Sequence, residues 1–346
     1  MKITLAEATT IDIRLTASLT TGAGGVGDRG GLQILVHTDA GMVGRGETAP
    51  IPGIDGPGLE SIAVDIDKWR SIAAGLSLET ALADLDSMSL GPLARFGVHT
   101  ALADLAGQEA GVPAAQWLRA GAPGSVPANG LVAEASPGAV HSRTAELVAA
   151  GMPAIKLKVG AVDPSQDVTR VIAASEAAGP DVSLRLDANQ AWDAETTERV
   201  IGRVGRHRVD FIEDPTPNMA EYVALQEATG VSVALDLPVT DAPDKAIADA
   251  GVSIVVVKPA AVGGVDRILD LARSHPNHRV IVSSSIDREI GLAAAIHAAA
   301  GLPDDNEAHG ISTGVLVRNM PAELLPVDGA VDVPPGAGIW ASGESE

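Results

Sequence analysis

From about residue 126 the chain repeats one pattern, a short β-like run of aliphatic residues followed by a longer Ala- and Val-rich stretch of helical period. The runs fall at 126–133, 154–159, 182–186, 209–213, 232–236, 253–258 and 279–283, with a weaker eighth near 309–311. Segments such as "PSQDVTRVIAASEAAG" and "VDRILDLARSH" lie between them. Such alternation calls for parallel strands joined by right-handed crossovers. Seven or eight units in about 190 residues favour a closed (β/α) barrel over an open doubly wound sheet. No G-x-G-x-x-G follows a strand and opens a helix, which weighs against a dinucleotide fold.

Before this region the order is different. Residues 10–16 and 31–47 read as antiparallel strands, with Asp39-Ala40-Gly41 as a hairpin turn. The intervening "TTGAGGVGDRGG" reads as a mobile loop, too rich in Gly to pack. Helical patterns follow at 58–74 and 93–111, the second with Val98, Leu102, Leu105 and Ala106 on one face. We therefore expect a small α+β unit over 1–120 and a barrel over 121–324, with the Pro- and Gly-punctuated tail from 325 to 346 packing back on the N-terminal unit.

The barrel runs carry charge where packing alone would not place it. In "AIKLKVG", Lys156 and Lys158 share one face of a strand. The next runs end in Asp187 and Asn189, in Glu213 and Asp214, in Asp236, and in Lys258. The carboxylates at 187, 213 and 236 are spaced by about one βα unit, so they converge on one barrel mouth, where catalytic groups of such barrels sit. Any one of them alone is an ordinary rim residue or helix cap, but five consecutive charged strand ends are not rim decoration. Three converging carboxylates need a cation, and an all-oxygen set selects a hard divalent ion, Mg²⁺ first and Mn²⁺ as the alternative. Lysines flanking that ion lose proton affinity and can act as bases, the arrangement needed to remove a proton α to a carboxylate.

Those residues resemble the enolase superfamily, in its muconate-cycloisomerase-like branch with K-x-K on the second barrel strand. "GETAPIPGI" (46–54) is similar to that family's capping-domain segment, and "KLKVG", "DANQAW", "IEDP" and "VKPAAVGGV" to its barrel motifs. The resemblance implies a modified TIM-like barrel under an N-terminal α+β capping domain. It implies Lys158 as the base, Lys258 as the lysine opposite and Lys156 as its tuning or positioning partner. It implies Asp187, Glu213 and Asp236 as metal ligands. Within the branch, the C-terminal region is most like the o-succinylbenzoate synthase family of menaquinone biosynthesis, in Ser283, Ser284 and Asp287, then Gly291 to Ala294, then Gly310, Thr313 and Gly314. That resemblance implies a substrate pocket with Asn189, Ser283, Ser284, Asp287, Gly310 and Thr313. The chain departs from the family at Leu237-Pro238, where Glu-Ser is usual, and at Pro259.

The expected activity is thus a metal-dependent syn-dehydration of a small carboxylate substrate. Alternatives on the same site are racemisation of N-acylamino acids, dipeptide epimerisation and cycloisomerisation. A metal-free Schiff-base lyase using Lys258 would leave the three carboxylates unexplained. An inactive acidic barrel acting as a binding protein is the non-enzyme alternative. With no Cys, thiol and disulfide chemistry are excluded. A net charge of −21 speaks against nucleic acid as a partner. The lack of a long apolar run or a signal-like start points away from membranes and towards the cytoplasm, with a homo-oligomer as an open alternative.

Overall fold

A computed structural model describes residues 1–340 of the chain apart from 22–23, 206–207 and 304–305. The N-terminal unit opens with β1 (Ile3–Ile13), β2 (Leu19–Thr21), β3 (Gly24–Val26), β4 (Arg29–Thr38) and β5 (Val43–Thr48). Strands β1, β4 and β5 form one antiparallel sheet in that order, and β2 pairs with β3 in a separate hairpin. The turn at 39–41 closes β4 onto β5, with Gly41 at φ 77°. Strand β1 begins seven residues earlier than its pattern suggests: from Leu5 on it pairs with β4 in unbroken register, but an exposed Leu5 beside a buried Ala6 hides the alternation at its start. The Gly-rich stretch also differs from expectation. Val26 is buried and packs with Ile13, Leu15, Ile51 and Ile286, while residues 22–23 of that stretch lie outside the described set.

Helices α1 (Leu59–Ala73), α2 (Leu78–Ala83), α3 (Pro92–Ala110) and α4 (Ala114–Leu118) follow. Helix α3 starts with Pro at its first turn and stops at Gly111 in the left-handed region. It is buried nearly all round, because β5 lies almost on its backbone: a Cβ on Gly46 would stand 2.0 Å from the Gly97 carbonyl oxygen, and one on Gly44 2.2 Å from that of Ala101.

The run at 126–133 divides in two. Strand β6 (Ser125–Pro127) pairs antiparallel with the returning β14 (Ala330–Asp332), and β7 (Asn129–Val132) enters the barrel. The barrel continues as α5 (Pro137–Ala149), β8 (Ala154–Lys158), α6 (Pro164–Ala178), β9 (Ser183–Asp187), α7 (Ala194–Val204), β10 (Phe211–Glu213), α8 (Tyr222–Thr229) and β11 (Ser232–Asp236). It ends with α9 (Pro243–Ala250), β12 (Ile254–Val257), α10 (Pro259–Val262), α11 (Val265–Ser274), β13 (Arg279–Val282) and α12 (Glu289–Gly301). Strands β7 to β13 pair in sequence order as one parallel sheet. His309 bridges to Ala128 and Gly310 to Ser283, so the eighth run joins the sheet's two edges. A side chain at Gly310 would collide with Ser283, its Cβ 2.6 Å from Oγ. The tail returns to α3 and α4, where Ile339 N donates to Asp104 and Gly338 bridges to Pro113. Among the described residues no helix is long and apolar enough to cross a membrane.

Register decides what meets at the mouth. Lys158 is the register partner of Asp187, and Asp187 of Glu213, so these three stand level. Glu213 pairs with Ala234, which sets Asp236 two residues further along, towards Lys258.

Candidate active site

A pocket opens at the C-terminal ends of the barrel strands, roofed by the N-terminal unit. Its floor is charged, formed by Lys156, Lys158, Asp187, Asn189, Asp236 and Lys258. One side is rich in hydroxyl and amide groups, from Asn129, Ser283 to Ser285, Ser312 and Thr313, with Gly310 between them. Val26, Ile51, Ile54, Leu131 and Ile286 add apolar surface to the lining. A larger cavity of about 620 Å³ lies at the opposite ends of the strands, beside Val182 and Arg208, and holds none of the converging charges.

Strand β8 places the lysines. Ile155 and Leu157 are buried, and the alternate residues Lys156 and Lys158 point into the pocket. Lys158 Nζ donates to Asp187 Oδ2 at 2.6 Å and to Asn189 Oδ1 at 3.0 Å. Lys156 Nζ lies 2.7 Å from Asp187 Oδ2 and 2.6 Å from Glu213 Oε1. Lys258 holds both oxygens of Asp236. The expected convergence of three carboxylates is therefore mediated by ammonium groups. Asp187 and Glu213 share Lys156, and Asp236, two residues higher in the register, takes Lys258.

The electrostatics follow. Burial works to lower Lys156, but Asp187, Glu213 and Asp236 outweigh it and push the ammonium above its ordinary value. Lys258 is raised in the same way by Asp236. Burial would raise Asp187, and Lys156 with Lys158 instead hold it well below the carboxylate range. Glu213 is pushed up to about 8, first by burial and then by Asp187.

A divalent ion suits this donor set. Asp187, Glu213 and Asp236 bring carboxylate oxygens to one mouth, and the raised Glu213 is a buried carboxyl that a cation would relieve. Among the described residues, no three acidic or imidazole groups gather as a cluster on their own, since the ammonium groups stand between them.

Asn189, Ser283, Ser284, Gly310 and Thr313 all line the pocket, and the Ser284 and Thr313 hydroxyls bond one another. Asp287 does not. It is buried behind the wall, where its carboxylate accepts from Ser285 N at 2.9 Å. Pro259 opens α10 at its first position, a place where its missing N–H costs nothing, and Leu237 is buried in the core.

Several supporting contacts lay beyond sequence reasoning. Asp214 accepts from Tyr222 Oη at 3.0 Å, from Asp236 N at 3.0 Å and from Gln190 Nε2 at 3.2 Å, bracing the end of β11 that carries Asp236. Arg170 donates to the Lys158 carbonyl at 2.8 Å and to Asp167, which accepts from Gly160 N and Trp192 Nε1. The only signal for that pair in the sequence is an Asp and an Arg three residues apart in a helical pattern.

The model of the "Enolase C-terminal domain-like" family matches residues 139–341. An o-succinylbenzoate synthase of Enterobacter sp. (strain 638) is 30% identical over 294 residues, 82% of this chain and 84% of that protein. A hydrophobic dipeptide epimerase of Enterococcus faecalis is 27% identical over 346 residues, 96% of this chain and 95% of that protein. The crystal structure of the dipeptide epimerase from Enterococcus faecalis V583, complexed with Mg and L-Leu-L-Tyr, superposes with a TM-score of 0.87 at 23% identity, covering 98% of this chain and 99% of that one.

Proposed function

The chain belongs to the enolase C-terminal domain-like family, and from that premise we propose that it removes a proton α to a carboxylate and expels water from a small carboxylate substrate, in an o-succinylbenzoate synthase-like reaction. The observation that carries this reading is the placement of Lys158 and Lys258 in one pocket, on β8 and at the end of β12, with Asp187 and Asp236 on their respective ammonium groups.

In this reading Lys158 is the base, held towards the substrate by Asn189, and Lys156 stays fixed between Asp187 and Glu213 as a permanent charge. Lys258 faces the substrate carboxylate, where charge builds up as the proton leaves. Lys158 returns its proton to the departing hydroxyl, so that proton abstraction and loss of water occur on one face. Asp187, Glu213 and Asp236 would hold Mg²⁺, which supplies Lewis-acid stabilisation of the carboxylate when bound. The apolar part of the lining, Val26 included, excludes water from the reacting carbon.

A second reading keeps the site and changes the outcome. Two lysines facing one pocket also suit two-base racemisation of an N-acylamino acid. The same pair of lysines suits epimerisation of a dipeptide and cycloisomerisation. The test is turnover of the menaquinone-pathway hydroxy acid, N-acylamino acids and dipeptides with Mg²⁺, in D₂O. Aromatic product without label in returned substrate supports dehydration, and label entering both enantiomers of an acylamino acid moves the assignment to racemisation. No turnover of any member overturns the reading.

A further inference from the structure

Arg29 opens β4 in the N-terminal unit, yet its bonds reach into the barrel. Nη2 donates to the Ser285 carbonyl at 2.7 Å and to the Ile286 carbonyl at 2.9 Å, both in the turn that follows β13. Nε reaches the Ala49 carbonyl at 3.5 Å, and Nη1 is buried with no hydrogen-bond partner among the described residues. This is an expensive way to use a guanidinium. The side chain is buried, its bonds go to carbonyls, and Asp287, Asp55 and Glu47 reach it through their fields.

The turn it holds is strained. Ile286 has φ 59°, in the left-handed region where a β-branched residue is a genuine outlier. Such a conformation persists only where its surroundings over-determine it. Here Ser284 Oγ accepts from Ile286 N at 3.3 Å, Asp287 accepts from Ser285 N at 2.9 Å, and Arg29 takes the two carbonyls. Glu47, on the neighbouring β5, accepts from Arg288 N at 2.7 Å and holds the far end of the turn. The consequence is local. Ser284, Ser285 and Ile286 all line the pocket, and the Ile286 side chain completes an apolar wall with Val26 and Ile51.

We infer that Arg29 is a positioning residue for the substrate: by clamping the strained Ser285–Ile286 turn from the N-terminal unit, it sets the pocket wall that receives the part of the substrate remote from the reacting carbon. This rests on the reading of the pocket as a substrate site. Arg29 itself touches no reacting atom. It acts on binding common to ground and transition states, so its loss raises KM more than it lowers kcat.

The experiment compares wild type with R29M and R29K, using amide hydrogen exchange over 283–291 and steady-state kinetics on whichever panel substrate the wild type turns over. In R29M, exchange at Ile286 and Arg288 should rise at least about tenfold and KM at least about tenfold, with kcat within about threefold. R29K, which can donate to one carbonyl, should fall between. Unchanged exchange overturns the clamp, even if R29M is less stable overall. Faster exchange with unchanged KM, or a collapse of kcat at constant KM, overturns the positioning role. K158A is the control on the underlying reading. If wild type and K158A are equally active, or the wild type turns over nothing, that reading has failed and the substrate role of Arg29 falls with it.

Discussion

Lys158 Nζ and Asp187 Oδ2 face each other at 2.6 Å across neighbouring strands, as direct register partners. The same oxygen also lies 2.7 Å from Lys156 Nζ. Asp187 is therefore compensated twice, and removing one lysine leaves it paired. This separates the chemistry of Lys158 from its contribution to the fold. Lys158→Ala should lower turnover by roughly 10²–10⁴-fold, the usual contribution of a positioned base. Its melting temperature should stay within a few degrees of wild type, and calorimetry should still detect Mg²⁺ binding. Turnover at the wild-type rate would remove Lys158 from the mechanism.

Glu213 makes the complementary case. Its carboxyl is buried, pushed up to about 8 by burial and by Asp187, so the bare fold gains little from its charge. Glu213→Gln keeps an oxygen that can accept from Lys156 and removes only the charge. The variant should be as stable as wild type or slightly more so, while Mg²⁺ affinity falls at least about tenfold. Thermal unfolding and titration calorimetry read the two effects separately. Undiminished Mg²⁺ affinity would mean that Glu213 is not a ligand.

The barrel was legible because each strand buries aliphatic residues and then ends in a residue that packing cannot explain. Lys156, Lys158, Asp187, Glu213, Asp236 and Lys258 stood out for that reason, and the structure brings them to one mouth. What stayed hidden was pairing at long range. Arg29 sits in a Gly-rich stretch with no periodicity, and its partner Ser285 is 256 residues away. Nor could local pattern show that Asp236 stands two residues above its neighbours, since register is set between strands and not along them. Asp287 looked like a pocket residue on motif grounds, yet its carboxylate turns inward to its own turn.

The N-terminal unit has its own legible feature in "VGRGET", where Gly44 and Gly46 alternate on the face that meets α3. A methyl group at 46 would stand 2.0 Å from the Gly97 carbonyl oxygen, which belongs to backbone and cannot swing away. Gly46→Ala should therefore force β5 off α3 and cost at least about 2 kcal/mol. Glu47, the next residue, caps Arg288 N, so the displacement should also disturb the pocket wall. Gly124→Ala is the control, since a Cβ there meets nothing within 4 Å. Chemical denaturation of the two variants compares them directly. Equal stabilities would show that the close approach is not under constraint.

Two buried histidines give the stability a pH dependence whose sign can be worked out. His297 Nδ1 accepts from Ala115 N at 3.1 Å and its Nε2 meets the Ile339 carbonyl at 2.8 Å, tying the returning tail to α12 and α4. His309 Nδ1 accepts from Val282 N at 3.0 Å. Each Nδ1 must stay unprotonated to accept, and burial pulls both rings down to about 4. In the unfolded chain they titrate near 6.5. The unfolded state thus binds protons first, so this stability is complete above about 6.5 and is lost as pH falls towards 4, by up to about 3 kcal/mol for each ring. Glu47, raised to about 8 mainly by burial, acts in the opposite sense: its contribution is full below its unfolded value and is lost as pH rises through 8. A single melting curve would blend these opposing effects. The difference between wild type and His297→Gln isolates one of them. That difference should favour wild type most at neutral pH and shrink between pH 6.5 and 4, because the Gln variant has no proton to gain. A difference constant across that range would mean that His297 does not enter the folded state neutral.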